Sequence, residues 1–121
     1  MFAAGCLAFV VGLIHSALGE RLIFSRMRNG GGIVPTSAEP VLLERHVRIL
    51  WASWHIVTVF GWALGAVLIR MAFPAGPIEL FVRNSVILAM LASSALVVVG
   101  TNAKHPGWLG LLGVAVLVWL A

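Results

Sequence analysis

His15, Glu20, Arg48 and His55 stand inside segments that are otherwise apolar enough to cross a bilayer. Ionisable groups are expensive in hydrocarbon, so these four are candidates for a functional site by default. Arg48, Trp51, His55, Thr58 and Trp62 follow one another at steps of three, four, three and four residues, and so project from one helix face over about four turns. His15 lies nine residues before Phe24 and His55 nine after His46. At 1.5 Å per residue each is about 13 Å from its end, so antiparallel neighbours bring the two histidines to one depth. Glu20 and Arg48 then fall nearer the interface on the same side, within pairing distance. Thr101, Asn102 and His105 are placed to complete a polar pocket there.

Several chemistries suit such a pocket. His15 and His55 facing across helices would be axial ligands for a haem b, or with Glu20 or His105 would hold a transition metal. Histidine also titrates near neutral pH, so His15, Glu20, Arg48, His55 and Thr58 could form a proton-linked network or bind a quinone or lipid head. A third reading is structural, an accessory or scaffold subunit whose polar residues only specify packing. Interhelical polar bonds in membranes average about 0.6 kcal/mol, which makes that role energetically modest. No Cys-x-x-Cys-His, His-Glu-x-x-His or phosphate-loop pattern occurs, and no catalytic motif is found. Ser16 adjoins His15 but points about 100° away from it on a helix, so the two are not a ready nucleophile and base. The single cysteine, Cys6, reads as a small apolar residue.

These residues need helices to hold them. The chain is 61% apolar and 10% charged, with a mean hydropathy of +1.07. A soluble domain carries about 25% charged residues, so the composition is that of a membrane protein. Four apolar runs, 2–24, 49–71, 80–100 and 107–121, predict a single all-α domain, an integral membrane four-helix bundle whose fourth span is short. The runs are continuous and not alternating, which argues against a β-barrel. The first lacks the basic residues that precede a cleaved signal, and is expected to stay as a helix. Arg21, Arg26, Arg28, Arg45 and Arg48 in the first connection and Lys104 in the third outweigh Arg70 and Arg83 in the second. By the positive-inside rule both termini face outward and the first and third connections lie in the cytoplasm.

The partners expected are the lipid bilayer and a homodimer or larger membrane complex, not nucleic acid, because the basic residues flank spans with no recognition motif. Residues 27–40 hold three consecutive glycines and two prolines, a flexible stretch. Thr36 and Glu39 have capping-box spacing for a short interfacial helix at 41–46. Gly5, Gly12 and Gly19 recur every seven residues and Gly61 with Gly65 makes a GxxxG pair, patterns that admit close helix packing within the chain or at a dimer seam.

His15-Ser16-Ala17-Leu18-Gly19-Glu20, then Trp54-His55-Ile56-Val57-Thr58, then His105-Pro106-Gly107-Trp108 resembles a group of small, mostly uncharacterised bacterial inner-membrane proteins with HSxLGE, WHxxT and HPxW motifs. The resemblance covers nearly the whole chain. It implies a four-helix protein of the bacterial inner membrane and marks His15, Glu20, His55 and His105 for testing, but implies no activity.

Overall fold

In the computed structural model, which describes residues 1–28, 31–37, 42–73 and 76–121, the chain is all helical, with no β-strand among the described residues. The helices are α1 (Phe2–Leu18), α2 (Glu44–Ala72), α3 (Ile78–Thr101) and α4 (Gly107–Leu120). Beyond Leu18 the first helix continues as a π turn, Gly19–Ile23, and a 3₁₀ turn, Phe24–Met27. Three helical stretches, Phe2–Met27, Glu44–Ala72 and Ile78–Thr101, are long and apolar enough to cross a membrane. α4 has 14 residues, about 21 Å at 1.5 Å each, and falls short of a hydrocarbon core of about 30 Å.

Each helix packs on the next in sequence, α1 on α2, α2 on α3 and α3 on α4, giving an open bundle with α2 and α3 inside. Large apolar side chains cover its outside: Leu64, Leu88 and Leu117 are each about two-thirds exposed. In water so much exposed leucine would drive association; against lipid tails it is the expected outer surface. This is a membrane protein.

Glycines set the α1–α2 approach. A Cβ on Gly5 would meet the Gly65 carbonyl and Ile69, one on Gly12 would lie 2.8 Å from Trp62 Cδ1, and one on Gly19 would enter the Trp54 indole. The seven-residue stripe is thus used within the chain, as a row of seats for α2 side chains. Of the GxxxG pair only Gly65 is used in this way, since Gly61 faces open space. Between α2 and α3, Gly100 lies against Ala52 and the Arg48 carbonyl, and Ser94 of α3 donates to the Trp108 carbonyl of α4 at 2.9 Å.

Two expectations about the first connection change. α2 begins at Glu44, so residues 44–46 are its first turn and not a separate interfacial helix; nothing in His46-Val47-Arg48 interrupts a helix once it has started. Glu39, the second member of the expected capping box, lies outside the described residues, as do Pro40 and Val41. Nor is residues 31–37 a free loop. The N–H groups of Thr36 and Ser37 both donate to the Met27 carbonyl, Arg28 Nε donates to the Ile33 carbonyl at 2.7 Å, and Pro35 is buried. This segment covers one end of the α1–α2 seam, where Phe24, Trp51 and Ala52 form a buried cluster flanked by Val34 and Trp54.

Candidate functional site

At the end of α1 the helix widens into its π turn, and the Phe24 N–H reaches the carbonyls of both Gly19 and Glu20. Single π turns inside helices recur at functional sites because they re-aim side chains. Here the re-aimed residue is Glu20. One carboxylate oxygen pairs with Arg28; the other accepts from Trp51 Nε1 and from His55 Nε2, the latter at 2.9 Å. Arg28 thereby holds both the covering segment and the carboxylate.

From His55 the bonds continue inward. Its Nδ1 is 2.9 Å from Ser16 Oγ, Ser16 Oγ is 2.8 Å from Thr58 Oγ1, and Thr58 Oγ1 donates to the Gly12 carbonyl at 3.3 Å. The absence of a side chain at Gly12 is what lets Thr58 reach that carbonyl. Beyond it, the Phe9 and Trp62 rings stack 6.1 Å apart, and no polar side chain extends the chain among the described residues. Phe24, Trp51 and Trp54 wall the cluster.

The hydrogens in this chain can be counted. Five contacts link Trp51, Glu20, His55, Ser16, Thr58 and the Gly12 carbonyl. An ionised carboxylate only accepts, each hydroxyl and the indole supply one hydrogen, and a neutral imidazole supplies one. With Glu20 ionised and His55 neutral, four hydrogens face five contacts, and one contact lacks a donor. A second proton, on His55 or on Glu20, completes the set. Completed, it runs in one direction, from His55 Nδ1–H to Ser16, from Ser16 to Thr58, and from Thr58 to Gly12.

The residues expected to share one pocket fall into three groups. Glu20, His55 and Thr58 come together as expected, joined by Ser16, Arg28 and Trp51. His15 lies apart: its ring stacks flat on Trp54 with centroids 4.3 Å apart, its carbonyl accepts from Trp54 Nε1 at 3.1 Å, and its buried Nε2 has no partner among the described residues. Arg48 does not pair with Glu20. It bonds Asn102 at 2.7 Å and Glu44 at 3.3 Å, because Trp51 spans the seam between Glu20 and Gly100 and separates the two groups. Thr101 and His105 accompany Arg48, lining a groove of about 760 Å³ at the same end of the bundle.

This arrangement does not fit a haem held between His15 and His55. Both nitrogens of His55 are engaged, and the His15 ring is turned flat against an indole. No group of three or more His, Cys, Asp or Glu among the described residues stands close enough to hold a metal ion. Sequence reasoning missed Ser16 and Arg28 as site residues. Ser16 follows Gly12 by four residues and so shares the helix face that meets α2, which is the signal that finds it.

Fold and site together define a helical membrane protein with a half-buried, hydrogen-bonded Glu/His/Ser/Thr chain between its first two spans. Comparison with models of known protein families, with curated proteins and with solved structures finds no match.

Proposed function

We propose that this chain handles protons: the Glu20, His55, Ser16 and Thr58 cluster takes up and releases one proton from the side of the membrane where the basic connections lie. By the charge asymmetry that side is the cytoplasm, with the N-terminus outside, and the resemblance noted above points to a bacterial inner membrane. The observation that carries the reading is the unbroken bond chain from Arg28 to the Gly12 carbonyl, with one more contact than the neutral imidazole can serve. The chain ends there. It therefore acts as a proton reservoir or trigger between α1 and α2, since no polar side chain among the described residues extends it past Gly12.

The test is the imidazole ¹⁵N spectrum of the protein in lipid nanodiscs from about pH 5 to pH 8, the interval in which histidine usually changes charge. The His55 ring signals are expected to change together with the Glu20 carboxyl ¹³C signal, as a proton shared along the chain requires. Ser16→Ala and Glu20→Gln should each alter the His55 curve, whereas Ser85→Ala, whose hydroxyl bonds only the Phe81 carbonyl of its own helix, should not. A His55 signal that is invariant across the range overturns the proposal.

A second reading, an accessory or scaffold subunit, is favoured by the seating of Trp54 and Trp62 on Gly19 and Gly12, which uses the same seam for packing alone. It predicts that the same variants weaken folding or partner assembly and leave the protonation of His55 unchanged.

A further inference from the structure

The groove beside Arg48 belongs to neither reading. It lies where the first turns of α2 meet the end of α3, and its walls carry three full positive charges, Arg45, Arg48 and Lys104, with His46 and His105 beside them. The one carboxylate in the lining, Glu44, is engaged with Arg48 and offsets a single charge. Arg48 is built in. Its side chain is 13% exposed, gripped from one side by Glu44 and from the other by Asn102, which the left-handed turn at the end of α3 (φ 51°) aims at it. Lys104, by contrast, forms no ion pair among the described residues and is free to close on a ligand.

Depth selects the ligand. The groove opens at the level where the apolar run of α2 begins, with Leu43 and Ile49 in its lining and Leu50 half exposed on the adjoining surface. Clustered cations directly next to a span attract anionic headgroups, and the phosphate end of a lipid sits at this level while its chains descend along the apolar helix. We infer that this groove holds the phosphate of an anionic phospholipid between Arg45, Arg48 and Lys104, its acyl chains running down past Ile49 and Leu50.

The full-length protein is to be reconstituted in nanodiscs of equimolar phosphatidylglycerol and phosphatidylcholine, released into the mass spectrometer, and its retained lipids counted. One phosphatidylglycerol per chain should be retained in preference to phosphatidylcholine. Arg45→Gln with Lys104→Gln, neither of which supports the fold through an ion pair, should weaken that retention roughly thirtyfold. Arg21→Gln with Arg26→Gln removes the same charge from exposed positions near the end of the first span and should leave it unchanged. Equal retention of both lipids, or an equal loss in the Arg21/Arg26 control, overturns the inference in favour of diffuse surface attraction. Release of phosphatidylglycerol by millimolar inorganic phosphate overturns the choice of a lipid and assigns the groove to free phosphate.

Discussion

Ser16→Ala removes the hydroxyl through which the chain passes from His55 to Thr58, and its effect follows from the bonds it breaks. Ser16 Oγ makes two contacts across the α1–α2 seam, at 2.9 Å to His55 and 2.8 Å to Thr58. Interhelical polar bonds in a membrane average about 0.6 kcal/mol, because the separated helices also find polar partners. The loss should therefore be about 1.2 kcal/mol, roughly a sevenfold fall in the folded-to-unfolded ratio. Alanine keeps the helix and nearly the same volume, and Thr58 retains the Gly12 carbonyl, so packing contributes little to the change. The assay is reversible unfolding in mixed micelles on addition of an anionic detergent, run as a double-mutant cycle with Thr58→Val. The coupling between the two sites should be about 0.6 kcal/mol, the value of their shared bond. Ser85→Ala supplies the baseline, since its hydroxyl bonds only within α3. A Ser16→Ala cost equal to that baseline, or zero coupling with Thr58, would refute the continuous chain and with it the proton count.

Other expectations are equally direct. Gly12→Ala and Gly19→Ala force Trp62 and Trp54 out of their seats and should each destabilise by about 1–3 kcal/mol in the same assay, while Gly61→Ala and Gly113→Ala, which face open space, should not. Ala103 holds a left-handed conformation (φ 59°) in the turn after α3, so Ala103→Gly should raise stability by about 1 kcal/mol, read as a higher unfolding midpoint. Trp51→Phe removes one donor to Glu20 but keeps a ring against Gly100, and should lower stability by about 1 kcal/mol while changing the Glu20 carboxyl signal. In a Cys6→Ala background, cysteines placed at Gly32 and at Lys104 should react with a membrane-impermeant thiol reagent only in inverted vesicles; labelling of either in intact cells would reverse the assigned topology.

Much of the site's location was legible along the chain. Equal depth for His15 and His55 follows from counting residues to the basic ends, and that count brings the Gly12 to Glu20 stretch beside Leu50 to Thr58. The error was small and lay in the rotation of the helices. His55 meets Ser16, one residue on from His15, and His15 meets Trp54, one residue before His55. Arg48 was misassigned for a related reason: it is on the same face as His55 by spacing, yet Trp51 stands between it and Glu20.

The amino-acid sequence alone determined that the chain is helical and membrane-embedded, where its four apolar helices lie, and that the first helix offers a glycine stripe to a neighbour. Those properties are sums over local residues: transfer of apolar side chains into lipid, helix periodicity, and the space left by a missing Cβ. The partners of the polar residues were decided only in three dimensions. A π turn moves Glu20 off regular helical phase, Arg28 reaches back eight residues to meet it, and the end of α3 supplies Asn102 to Arg48. Each of these depends on how helices rotate and cross, a choice set by the fit of Trp54 and Trp62 onto Gly19 and Gly12 and not by the pattern of any one segment.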